Sequence, residues 1–151
     1  MSVHHHAYVW IGPGAEYNND SQRRPYDPGP NPDPGRRPVS AFRDAPVAPN
    51  EPANWLLKNP RFVVETFHDP DLAVHWYGNQ VKQHAGHFDG DHAKRPETIE
   101  GMLAAALGTI KGNRDVVNGW WGKGGTTFFA IHLIACPNFW RPEHACPLGL
   151  R

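Results

Sequence analysis

The chain has 151 residues, with 15 basic and 15 acidic side chains, and carries no net charge. The balance is also local: five basic against six acidic groups in 1–54, five against five in 55–95, and five against four in 96–151. This argues against a nucleic-acid partner, which needs a concentrated basic face to neutralise phosphates, and no apolar run approaches the roughly eighteen residues of a membrane span.

No charged-then-apolar leader opens the chain. Two cysteines, Cys136 and Cys146, are too few for a disulfide framework. The expected location is the cytoplasm of a bacterial cell, or a virion. Arginine outnumbers lysine ten to five, and Ala, Gly, Pro and Trp are plentiful. That usage suits a GC-rich coding source such as an actinobacterium or its phage.

In chain order, residues 3–11 alternate Val3, His5, Ala7, Val9 and Ile11 with His4, His6, Tyr8 and Trp10, which is strand periodicity. His4, His5 and His6 read here as a solvated strand edge. Gly12-Pro13-Gly14 ends the strand. Residues 12–54 then hold ten of the sixteen prolines. Proline lacks an N–H and fixes φ, so this stretch is expected as an extended arm or long loop. It separates an N-terminal strand, 1–11, from an α+β body, 55–151.

Residues 52–58 suit one helical turn anchored by Trp55, Leu56 and Leu57. Residues 62–67 read as a strand inside a sheet. Asp69 as N-cap, Pro70 at the first helical position and Asp71 beside the dipole predict a helix from 70 to about 85. A second helix opens at Pro96, with Ile99, Met102, Leu103, Ala106, Leu107 and Ile110 on one face and Gly112 as its stop. Residues 115–121 and 126–136 flank Gly122-Lys123-Gly124-Gly125 as a hairpin, its second strand apolar enough to be central. The fold class expected is α+β: a small, mostly antiparallel four-stranded sheet with two helices on one face, plus the proline-rich arm.

Three constellations offer chemistry. His84, His87 and His92, with Asp91 and Asp89, supply the imidazole and carboxylate donors of a zinc or non-haem iron site, although the spacing matches no helical zinc motif. His132, Cys136, His144 and Cys146 make a Cys2His2 set suited to structural zinc. Against this, His132 and Cys136 on one strand stand about 13 Å apart. A disulfide between Cys136 and Cys146, or two inert buried thiols, are alternatives. His68, Asp69, Asp71 and His75 at the first helix start could serve acid–base work, though capping already accounts for both aspartates. The Gly122–Gly125 loop, with Lys123, has the makings of an anion-binding nest.

No motif demands a cofactor, and zinc is the ion these donor sets would take. The function expected is a structural or interaction component of a multi-subunit assembly, such as a phage head, neck or tail protein. It would dock on other protein subunits through Arg23, Arg24, Arg36, Arg37, Trp120, Trp121 and Trp140. The alternatives are a metal-dependent hydrolase using residues 84–92, and a small-molecule binding protein.

Overall fold

The computed structural model describes residues 3–25 and 42–150. Four strands, β1 (His4–Pro13), β2 (Glu65–Phe67), β3 (Val116–Gly122) and β4 (Thr127–Cys136), form one antiparallel sheet in the order β2-β1-β4-β3. β1 and β4 are central and pair along their whole length, from His4 opposite Cys136 to Pro13 opposite Thr127. Two long helices, α1 (Pro70–His84) and α2 (Pro96–Lys111), complete the α+β fold.

Each element forms for local reasons. The Asp69 carboxylate accepts from the Asp71 N–H at 2.8 Å and caps α1, and Pro70 fits the first turn, where no N–H partner exists. Gly78, in mid-helix, lies where the two helices meet: a Cβ there would stand 3.2 Å from Leu103. The β3–β4 turn puts Lys123, Gly124 and Gly125 at positive φ. That explains the two glycines. Residues 62–67 depart from expectation. Pro60 starts a 3-10 turn over Pro60–Phe62, and only Glu65–Phe67 pairs, at the edge of the sheet rather than inside it.

Alternation along β1 and β4 sorts their side chains between two cores. On one face Ala7, Phe129, Ile131 and Leu133 pack against Ala73, Tyr77 and Val81 of α1 and against Ile99, Ala106 and Ile110 of α2. On the other, Tyr8, Trp10, Phe128, Ala130, Ile134 and Cys136 pack against Ala45, Val47, Ala48, Trp55 and Leu56. The sheet is therefore covered on both faces, which is why β4 is buried almost throughout.

The second cover corrects the picture of an arm lying outside the body. Residues 26–41 of the proline-rich stretch lie outside the described residues. Its described ends, however, are structured. Gly14–Tyr17 and Asp20–Arg23 are single helical turns, and Phe42, Val47 and Ala48 are each only 1% exposed. Proline is compatible with this where it opens a turn, as Pro52 does for Pro52–Leu57.

Lys58 ties the ends together. It is buried, and its ammonium donates to the carbonyls of Phe42 (2.9 Å) and Ala45 (2.7 Å) and reaches that of Gln22 at 3.5 Å. Burial, and then the Arg23 charge, lower its pKa to about 8.

Phe42 is buried, with its ring centroid 4.0 Å from the Lys58 ammonium, so Phe42→Ala should cost about 3–5 kcal/mol in urea unfolding. A loss below about 1 kcal/mol, the range of a surface substitution, would return this stretch to the status of an appendage.

Candidate metal centre

β1 carries His4 and His6 two residues apart, so both point to the sheet face opposite the helices. The same pairing sets Cys136, the last residue of β4, directly across from His4. Beyond it the tail turns back over the sheet edge. Asn138 fixes that turn: its amide donates to Asp115 and to the Ala135 carbonyl, and its Oδ1 accepts from the Trp140 and Arg141 N–H groups. Arg141 forks onto the Glu51 carboxylate, and His144 bonds the Asn54 side chain at 2.9 Å. The tail so held brings Cys146 down onto the two histidines.

One donor atom from each of His4, His6, Cys136 and Cys146 lies within 4.8 Å of the other three. His4 Nε2 and His6 Nε2 are 3.2 Å apart, and the Cys146 sulfur is 3.4 Å from His6 Nε2 and 3.6 Å from His4 Nε2. Zinc binds nitrogen at about 2.0 Å and sulfur at about 2.3 Å, so its tetrahedron has N···N edges of about 3.3 Å and N···S edges of about 3.5 Å. The three separations match those edges to within about 0.2 Å. Two borderline nitrogens and two soft sulfurs are a donor set for Zn²⁺.

The surroundings fit an ion as well. His6 Nδ1 bonds Thr66 Oγ1 at 2.9 Å, which holds the ring with Nε2 turned inward. The Leu150 N–H donates to the Cys146 sulfur at 3.4 Å, in a turn where Gly149 takes φ +69°. Burial, and then neighbouring histidines, lower the pKa of His6 to about 4, and burial lowers that of His4, so both rings keep free lone pairs at neutral pH. Burial and the nearby Cys146 push the Cys136 thiol up to about 12. An ion entering the site must therefore displace thiol protons, as zinc does.

Only two buried side-chain polar atoms among the described residues lack a hydrogen-bond partner, His4 Nδ1 and Tyr8 Oη. One belongs to the cluster, and the other lies two residues along β1 on the same face.

The sequence-predicted residues fall as follows. Cys136 and Cys146 are brought together, but His132 and His144 are not with them. His132 lies four residues back along β4, where its Nδ1 accepts from the Trp55 indole at 2.9 Å, and His144 is engaged with Asn54. His4 and His6 take their places. Among the described residues this is the sole convergent donor set, so His84, His87, Asp91 and His92 do not form one. His84 and His87 lie against Phe129, while Asp91 and His92 are exposed. Asp89 instead accepts from the Gly124 and Gly125 N–H groups at 2.9 and 2.8 Å, filling the glycine nest with the chain's own carboxylate.

Asp69 is the α1 cap and His75 bonds Asn79. Of the docking residues, Arg23 reaches the Ala48 carbonyl, Arg24 pairs with Asp20, and Trp120 stacks on Phe88. Trp121 and Trp140 are exposed. Arg36 and Arg37 lie outside the described residues.

Comparison with protein-family models, with curated proteins and with solved structures yields no match.

His132 gives a pH prediction. Burial lowers its pKa to about 4, from 6.5 in the unfolded chain. The unfolded chain therefore takes up the proton first, and stability is level above pH 6.5 and falls as pH drops toward 4. The His132 share is of order 3 kcal/mol. Urea midpoints of the chelator-treated protein should show this loss, and His132→Gln, which still accepts from Trp55, should lose part of the slope. Equal slopes for the two proteins would contradict the assignment.

Proposed function

We propose that the protein is a zinc-stapled structural and interaction component of a larger protein assembly. The observation that carries this reading is the donor set. Four protein ligands close a tetrahedron and leave no position for water or substrate, which is the pattern of a structural rather than a catalytic ion. The ion's contribution is to join three remote parts of the chain: the start of β1, the end of β4 and the C-terminal tail.

The staple has a further consequence for the surface. Cys136 and Cys146 bracket a loop on which Phe139 and Trp140 are 52% and 65% exposed, packed edge to face. The Arg114 guanidinium lies 3.5 Å over the Phe139 ring. Beside Trp140 a groove of about 420 Å³ is lined by Pro52, Ala53, Val117 and the Glu51–Arg141 pair. Aromatic residues with arginine, next to an apolar hollow, are the composition of the energetic centre of a protein–protein interface. Zinc at the base of the loop would hold that patch in one conformation, which lowers the ordering cost of docking. No helix among the described residues is long and apolar enough to cross a membrane.

Metal analysis of purified protein should find one zinc per chain, lost in His6→Ala and Cys146→Ser but retained in His87→Ala and His132→Gln. Retention by the first pair, or loss in His87→Ala, would overturn the site. For the docking face, a photo-crosslinking residue at position 140 should join another subunit of the assembly, and one at exposed position 82 on α1 should not. Adducts at 82 alone would move the interface to the helices.

A further inference from the structure

β3 is an edge strand, hydrogen-bonded to β4 on one side only. Its far end is closed: the Asp89 N–H donates to the Trp121 carbonyl and the Lys123 N–H to that of His87, each at 2.9 Å. Trp121 therefore turns its main-chain groups away from β4, and strand alternation gives Gly119 and Val117 the same direction. Among the described residues, no backbone group outside the sheet pairs with either of these two. Unpaired main-chain groups along an edge are a template for another strand.

A hollow lies on each face of this open stretch. On the helix side, one of about 250 Å³ is bounded by Met102, Ala105 and Thr109 of α2. On the other side is the groove of about 420 Å³ beside Pro52, Ala53 and Trp140. Asp115 and Val117 border both. Successive side chains of a strand point to opposite faces of its sheet, so a strand added to β3 sends one side chain into each hollow. We propose that the β3 edge at 115–120 takes an extended segment of another subunit as an additional strand, with neighbouring apolar side chains in the two hollows. The inference rests on the docking reading above and names what docks.

The surroundings select that occupant. A second copy's β3 does not suit, because Val116 is committed to its own core, at 5% exposure, and Gly119 has no side chain. The incoming strand must have both faces free, as an extended tail does. Charge adds a further requirement. Arg114 is exposed, lies 3.5 Å over the Phe139 ring and 6.0 Å from that of Trp140, and has no acidic partner among the described residues. An Asp or Glu beside the apolar pair of the segment completes the match.

Random heptapeptides displayed and selected on the purified protein, with zinc supplied, give the probe. The selected sequences should share two adjacent apolar residues and an Asp or Glu. With such a peptide bound, amide hydrogen exchange read by NMR should slow at Val117 and Gly119, while Asn118, paired with Ile131 of β4, stays slow throughout. N-methylation should weaken the peptide about tenfold at alternate amides and spare those between, since only every second N–H faces β3. Ala105→Glu brings a charge to the helix-side hollow from an exposed helix position, and should weaken binding about tenfold with the urea midpoint kept. Arg114→Gln should weaken it about threefold and remove the preference for an acidic residue.

Peptides that bind without slowing Val117 and Gly119, or that tolerate methylation at every amide, would overturn the inference and leave the docking face standing. Protection of these two amides before any peptide is added would give the edge another occupant, a second copy if it rises with protein concentration, and would overturn it too. Selection that yields no peptide also overturns it. A crosslinking residue at position 140 that still joins another subunit would then keep the docking reading, and one that joins nothing would end both.

Discussion

The pairing of β1 with β4 is the constraint on which the rest of the structure depends. It runs the full ten residues of each strand and fixes which residues face which core. A slip of one residue would send Tyr8 and Trp10 to the helix side and Ala7 to the other. It would also move His4 and His6 away from Cys136. Fold and candidate metal centre are thus specified by one register, and the large side chains that set it, Trp10, Phe128 and Phe129, lie away from the site.

From that register the chemistry follows in steps. Alternation gives two imidazoles on one face, pairing sets a thiol opposite the first, and the tail returns the second thiol. The return is held by polar bonds from Asn138, Arg141 and His144, all to groups on the body. Burial keeps both imidazoles neutral and the Cys136 thiol protonated, so these three donors form an uncharged receptor. A divalent ion held by two thiolates leaves it neutral again. Burying such a site is less costly than burying an unpaired charge.

Local patterns were the legible part of this chain. Both long helices and the hairpin follow from residues within a few positions of one another, such as Asp69-Pro70 and the Gly122–Gly125 turn. The thiols were legible as candidate ligands because there are only two. His4 and His6 were not, because a His-x-His step on a strand acquires meaning only when the opposing strand is known. His132 was the natural choice by parity, since it shares a face with Cys136; strand spacing puts it out of reach and Trp55 engages it. The proline-rich stretch misled for a related reason. Its composition excludes a long helix or an inner strand but says nothing about single turns, and a few of those are enough to lay Ala45 and Val47 on the sheet. Trp10 and Trp55, two of the six tryptophans, are buried in this second core.

The central claim is that one ion joins His4, His6, Cys136 and Cys146. X-ray absorption at the zinc edge reads that coordination directly. The account predicts two nitrogen neighbours near 2.0 Å and two sulfur neighbours near 2.3 Å, with imidazole outer-shell scattering. A shell of oxygen and nitrogen without sulfur, or protein that takes up no zinc, would contradict it.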